Sequence, residues 1–167
     1  MRSARKRPPT DEALPYAVRL LASRTYSERK LREKLRTKGY EAGDIDAAIG
    51  KLKERRLLDD QKYAEGFVRT RIETHPRGKS ALVRDLVARG VTGSTAKQAV
   101  NDNLSTDQEF ELARNLVERK RGQYASLDSD IRKRRLTALL ARRGFRPDTI
   151  YKVLALPPDE SIPEDSY

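Results

Sequence analysis

The sequence predicts an all-α protein built from three tandem three-helix repeats, stacked into an elongated rod that is straight or curved. Three observations predict it. Gly39, Gly90 and Gly144 recur with matching surroundings, apolar residues fall at intervals of three and four, and no segment alternates with period two between turns suited to a sheet. Leu35, Leu86 and Leu140 stand four residues before these glycines, and Leu31, Leu82 and Leu136 eight before. A base precedes each glycine directly (Lys38, Arg89, Arg143) and an apolar residue follows it (Tyr40, Val91, Phe145).

Each repeat opens on a small anchor followed by bulky apolar residues, as in Ala17-x-x-Leu20-Leu21, Ala64-x-x-Phe67-Val68 and Ala113-x-x-Leu116-Val117. Spacings of three and four place these residues on one stripe of a helix, because about 3.6 residues complete a turn. The glycine after the second helix can take the left-handed conformation that closes a C-terminus, and the base beside it suits the helix dipole. Ile45 and Ile49, Ala96 and Val100, and Ile150 and Leu154 continue the pattern into a third helix. The predicted helices cover 12–24, 27–38 and 43–56, then 60–73, 78–89 and 94–103, then 107–121, 128–143 and 147–155. Ser27, Asp60 and Ser94 are expected N-caps, Thr106 with Glu109 a capping box, and Pro147 a first-turn residue. From anchor to glycine cap the repeats run 22, 26 and 31 residues. The insertions fall in the first turn, around Thr74–Gly78 and Gly122–Ser126, where a surface loop can grow without disturbing helices. A unit of this size has a thin core, so neighbours are expected to share apolar surface. The reading divides the chain into a basic tail at 1–11, repeats at 12–58, 59–105 and 106–156, and an acidic tail at 157–167, both tails being expected to be flexible.

Composition narrows function. Over 167 residues, 36 Lys and Arg face 25 Asp and Glu, a net charge of +11. This suits a polyanionic partner such as nucleic acid, an acidic protein or a membrane surface. The absence of cysteine removes disulfides, thiol nucleophiles and cysteine zinc sites, and a single histidine removes paired-histidine zinc motifs. No apolar run approaches the roughly 18 residues of a membrane helix, and no signal-peptide core follows the basic start. The expectation is a soluble, cytoplasmic protein without a phosphate-cradling glycine loop of its own.

The charge is uneven. Residues 13–156 hold 32 bases against 19 acids, while 157–167 hold four acids and no base. That acidic run either improves solubility or competes with nucleic acid for the basic middle. Seven residues after each anchor stands a base, Arg24, Arg71 or Lys120. Near them lie Arg29, Lys30 and Lys34 in the first repeat, Arg77, Lys79 and Arg84 in the second, and Arg132 and Lys133, with Arg134 and Arg135, in the third. Arginine's fork suits phosphate oxygens or carboxylates, and lysine acts as a mobile point charge. Four consecutive bases cannot face one way on a helix, so some wrap its sides, and Arg135 can lie along the core with its stem buried. Asp59-Asp60 invites thoughts of metal or acid–base chemistry, but no second carboxylate cluster accompanies it, and capping is the better reading. Tyr26, Tyr63, Tyr124 and Tyr151 can stack on bases, though packing explains most of them.

The stretch Leu20-Leu21-Ala22-Ser23-Arg24-x-Tyr26-Ser27 resembles the RecX family of recombination regulators. So do Leu57-Leu58-Asp59-Asp60-x-x-Tyr63-Ala64-x-x-Phe67-Val68-x-x-Arg71 and Arg142-Arg143-Gly144-Phe145-x-x-x-x-Ile150. The likeness covers about 13–155 in order, and departs from the pattern where Val91 follows glycine in place of an aromatic. It implies tandem three-helix repeats, which the spacing predicts independently. It also implies a modulator of RecA, mostly inhibitory, that binds RecA, the RecA–DNA filament, and single- or double-stranded DNA. Such a protein suppresses ATP hydrolysis, strand exchange and the filament's coprotease action. Arg24, Tyr26, Asp60, Tyr63, Arg71 and Arg143 carry the family pattern, and no cofactor or metal is expected. The protein is then a monomeric binding protein, not an enzyme. The competing reading is a helix-turn-helix-like transcription factor, since three-helix units can present a recognition helix. A nuclease lacks any catalytic constellation.

Overall fold

A computed structural model describes residues 12–155, so both predicted tails lie outside the described residues. The helices are α1 (Ala13–Ser23), α2 (Glu28–Lys38), α3 (Ala42–Glu54), α4 (Asp60–Thr74), α5 (Lys79–Ala88), α6 (Gly93–Asn103), α7 (Thr106–Arg121), α8 (Ser129–Arg142) and α9 (Pro147–Ala155). A short 3-10 turn, Gly122–Tyr124, follows α7, and no strand occurs among the described residues. The fold is all-α, in three helix triplets.

The glycine caps form as the pattern demands. Gly39, Gly90 and Gly144 adopt φ of 110°, 99° and 79°, a region where a side chain would be strained. After each, the amide of the apolar residue closes back on the leucine four before the glycine. Tyr40, Val91 and Phe145 donate to the carbonyls of Leu35, Leu86 and Leu140 at 3.3, 3.1 and 3.1 Å. This is the Schellman closure, and it turns the following apolar side chain onto the core.

Backbone contacts gather the chain into two compact units. Among the described residues, the first comprises 12–67 together with Asp85–Ala99. Its main core joins Ala17, Leu31, Leu35, Ile45, Ile49 and Leu52, with Leu20 and Leu21 packed at the edge. The second comprises Val68–Arg84 and residues 100–155, with a core of Ala113, Val117, Leu136, Leu140, Phe145 and Val153. In the second triplet, Ala64, Val68, Leu82, Leu86, Ala96 and Val100 are all buried, so the anchor and leucine positions are interior in every repeat.

The caps correct part of the sequence reading. Ser27 does cap α2, accepting from the Lys30 amide at 3.4 Å. Asp59, not Asp60, caps α4 by accepting from the amides of Gln61 and Lys62 at 2.9 and 3.1 Å. Thr92 rather than Ser94 accepts from the first turn of α6. The capping box is Ser105 with Gln108, one residue earlier than Thr106 with Glu109. In each case the expected residue sits one or two positions inside the helix, and its side chain is released for other contacts.

Asp60 and Glu109 use that freedom alike. Both stand four residues before an anchor alanine. Asp60 Oδ1 accepts the amide of Glu28, the first residue of α2, at 2.7 Å. Glu109 Oε1 accepts the amide of Lys79, the first residue of α5, at 2.8 Å. Each carboxylate thus caps the second helix of the preceding repeat. One position earlier, Ser27 Oγ donates to the Arg89 carbonyl and the Gly78 amide donates to that of Arg143 at 3.0 Å. Ser27 and Gly78 both lie twelve residues before their glycine, so one contact pattern is used twice.

Candidate nucleic-acid interface

In the first unit the turn from α1 to α2, the outer face of α2 and the first turn of α4 enclose an open cleft of about 450 Å³. Arg24, Tyr26, Lys30, Glu33, Lys34 and Tyr63 line it. Three sequence-predicted bases therefore converge with two tyrosines of the family pattern. The 3.6-residue period explains the convergence: Lys30 and Lys34 are one turn apart, on the flank of α2 beside the buried Leu31 and Leu35. Arg24 lies in extended backbone just past α1, and its guanidinium stacks over the Tyr26 ring at 4.6 Å. The pair offers a planar cationic surface next to a ring face. Lys30 Nζ meets Glu33 at 2.7 Å, and hydrogen bonding to Lys30 holds the Glu33 carboxyl below its usual range. Against that one acid the cleft presents three bases, so it remains cationic.

The other predicted residues divide by what they touch. Arg29 is exposed, but its Nη2 donates to the Val87 and Ala88 carbonyls at 3.2 and 2.8 Å, closing the end of α5. Arg143 Nη1 donates to the Pro76 carbonyl at 3.3 Å. Lys79 holds Glu109 through its backbone, and its Nζ reaches Asn101 at 3.5 Å. These three bases have structural partners. Lys120 Nζ donates to Gln123 at 2.9 Å across the end of α7. Arg71 and Arg77 are half-buried, while Arg84 is exposed on α5. On α8, Arg132 is half-buried and Lys133 exposed. Arg135 is exposed as well, with its guanidinium 5.9 Å from the centre of the Tyr124 ring, so it does not lie along the core. Leu136 and Leu140 fill that face instead, which turns Arg135 outward.

A second cleft of about 250 Å³ lies in the other unit, between the end of α4, the Thr74–Pro76 loop and α7. Ile72, Leu112 and Leu116 make its apolar part, and Arg119 and Arg143 its charged part. Sequence reasoning missed Arg119, which stands one residue from the flagged Lys120 on a helix whose bases follow no obvious stripe. His75 lines this cleft and is exposed, as a loop histidine should be.

Around Asp60 the electrostatics are mixed. Burial pushes its carboxyl above the ordinary aspartate range, and the charges of Glu28 and Asp59 add to this, against the amide bond from Glu28 and the attraction of Lys53. Burial alone would raise Glu28 too. Hydrogen bonds from Lys53 at 2.9 Å and Arg32 at 2.8 Å outweigh it and hold that carboxyl low. Arg32, shared between Glu28 and Asp46, is raised in turn, chiefly by its hydrogen bond to Asp46. Among the described residues no group of His, Asp and Glu is arranged to hold a metal ion, and no helix is long and apolar enough to cross a membrane.

Fold and cleft together define a class, the tandem three-helix-repeat protein with a cationic, tyrosine-bearing cleft. The three triplets match the first, second and third three-helix domains of RecX over residues 13–52, 59–100 and 107–154. The chain is 33% identical to the regulatory protein RecX of Amycolatopsis mediterranei (strain U-32), over 81% of this chain and 77% of that one. It is 35% identical to the regulatory protein RecX of Stenotrophomonas maltophilia (strain K279a), over 95% of each. The crystal structure of RecX from Lactobacillus salivarius superimposes with a TM-score of 0.80 over 85% of this chain and 92% of that one, at 22% identity, and shares the fold. The chain belongs to the RecX family of regulatory proteins.

Proposed function

We propose that the protein regulates RecA, mainly as an inhibitor, by binding the RecA–DNA filament and DNA itself. In this reading it suppresses ATP hydrolysis, strand exchange and coprotease action, in the cytoplasm and without chemistry of its own. The single observation that carries the reading is the cleft where Arg24, Lys30 and Lys34 surround Tyr26 and Tyr63. Bases spaced a turn apart suit successive phosphates, and ring faces accept any base without choosing a sequence. That combination favours a sequence-tolerant strand binder over a factor reading base edges in the major groove. The remaining bases of the sequence pattern, including Arg71, Arg77, Arg84, Lys120, Arg132 and Lys133, would extend the contact to phosphate or to acidic surfaces of RecA. We take residues 12–58, 59–105 and 106–156 as the three repeat units that present them.

The test is RecA's DNA-dependent ATPase, titrated with the protein while filament binding is followed by co-sedimentation. A falling rate as the filament saturates supports regulation through the filament. An unchanged rate at confirmed saturation overturns it. A footprint with one preferred base sequence would instead favour a transcription factor.

A further inference from the structure

The first two repeats assign a shared task to the opening of their second helix. Ser27, Glu28 and Arg29 contact the Arg89 carbonyl, the Asp60 carboxylate and the carbonyls of Val87 and Ala88. Gly78 and Lys79 contact the Arg143 carbonyl and the Glu109 carboxylate. Ala81 lies so close to Gly144 that a Cβ on that glycine would collide with it. In both repeats these positions, nine to twelve residues before the glycine, receive the repeat that follows.

Counted back from Gly144, the same four positions in the third repeat are Arg132, Lys133, Arg134 and Arg135. No fourth triplet follows within the described residues. Here α8 begins a turn earlier, at Ser129, and Asp128 caps it by accepting from the Asp130 amide at 2.9 Å. α8 is thus capped by its own neighbour in sequence, whereas the first amides of α2 and α5 also receive Asp60 and Glu109 from the repeat that follows. Among the described residues, no carboxylate pairs with Arg132, Lys133 or Arg134. Ile131, just before them, is 39% exposed, an apolar residue at the edge of the cationic turn.

We infer that this face of α8 is occupied by the chain's own acidic run, residues 157–167, in the place where the earlier repeats receive a following repeat. Complementarity selects this occupant. Asp159-Glu160 and Glu164-Asp165 are two carboxylate pairs flanking Ile162, a match for a helix turn that carries Arg132, Lys133 and Arg134 round its sides next to Ile131. Reach permits it. The described chain ends at Ala155 on α9, which packs against α8. An extended segment covers about 3.3 Å per residue, so the seven residues to Ile162 span roughly 23 Å, while α8 is only about 21 Å long. Docked there, the run shields bases that would otherwise meet phosphate and must be displaced by any polyanion using them.

The full chain tests this without DNA or RecA. Because it holds no cysteine, Ser166→Cys places one nitroxide label. Expected are paramagnetic broadening of the Ile131–Arg135 amides well beyond that of Glu28–Lys30, and its loss in D159N/E160Q/E164Q/D165N or at high salt. Equal broadening at both helices, or persistence after neutralisation, overturns the inference. So does broadening carried from labelled to unlabelled molecules in a mixture, since the occupant would then be a second copy. A chain stopped after Leu156 should bind an oligothymidylate about five-fold more tightly at low ionic strength, the worth of a few exposed ion pairs, with the gap closing as salt rises. Equal affinity at low ionic strength counts against competition. The label readout stands or falls separately from any effect on RecA, so failure of one reading is distinguishable from failure of the other.

Discussion

Replacing Glu109 tests how consecutive repeats are joined. Its side chain is 1% exposed, and its Oε1 accepts the first amide of α5 at 2.8 Å. Glu109→Ala removes that acceptor and leaves the Lys79 N–H facing a small void. Losing a cap costs about 0.5–2 kcal/mol, and a buried donor left unsatisfied costs about 1–3 kcal/mol. The two overlap, since both count the same amide, so the expected loss is about 2–3 kcal/mol. For a chain of this length that corresponds to a fall of roughly 5–10 °C in Tm. Glu109→Gln keeps an oxygen at the same reach and avoids desolvating a charge, so it should stay within about 1 kcal/mol of the parent. Circular dichroism at the helical minimum measures Tm. Hydrogen exchange at Lys79 and Ser80 localises the effect, with protection falling in Glu109→Ala and persisting in Glu109→Gln. A parental Tm and unchanged exchange in Glu109→Ala would refute the cap. Glutamine as damaging as alanine would show that charge, not the acceptor, matters.

Other predictions address the cleft, the core and the acid response. Arg24→Ala, Lys30→Ala and Lys34→Ala combined should weaken single-strand binding and flatten its log–log salt slope by about 2, at about 0.7 per phosphate contact; an unchanged slope in a fluorescence titration removes them from the interface. Tyr63→Leu should cost about 1–3 kcal/mol of strand affinity through lost stacking while leaving that slope intact. Leu86→Ala, at a position with no exposed surface, should destabilise by about 2–5 kcal/mol in urea unfolding. Gly78→Ala places a Cβ against the Gly144 backbone and should cost about 1–3 kcal/mol, read the same way. Glu28 titrates below its ordinary value, so its stabilising share is present above about pH 4.5 and is lost as pH falls through the lowered folded value. Asp60 titrates above its ordinary value, so its ionisation weakens the fold at neutral pH. Asp60→Asn should therefore hold or gain stability at pH 7, with its difference from the parent vanishing below about pH 3.8, whereas Glu28→Gln should lose stability at pH 7; opposite signs in pH-dependent unfolding would contradict both assignments.

The helices, their glycine caps and their buried stripes were legible because each rests on near neighbours in sequence. Leu35 and Gly39 lie one turn apart, and 3.6 residues per turn dictates their relation. The bases of the first cleft were legible for the same reason, since Lys30 and Lys34 are spaced to share a face. The partners of Asp60 and Glu109 were not. A carboxylate at a helix start normally serves its own first turn, and only the approach of a neighbouring helix shows it serving another. The partners of Arg29 and Arg143 were not legible either. Their charge marked them as candidate ligands for phosphate, yet both reach backbone carbonyls more than fifty residues away in sequence. Counting bases therefore does not show which of them already hold a backbone partner. Arg135 shows the complementary error: its register against Leu136 was readable, but the aromatic ring it meets lies across a loop.

The two clefts show how one frame can hold different chemistry. Tyr63 directly precedes Ala64, and Leu112 directly precedes Ala113. Both alanines are wholly buried, so in each repeat the anchor fixes the turn on which its predecessor sits, and that predecessor lines a cleft against the preceding repeat. The anchor cannot grow without overpacking, whereas its neighbour at the rim is constrained only by what it meets. At that rim the first cleft has a ring beside three bases, and the second a leucine beside Ile72 and Leu116. Duplication thus copies the position of a cleft but not its lining. Repeats alike in their cores need not share a ligand, and a strand-binding role argued for the first cleft does not extend to the second by symmetry.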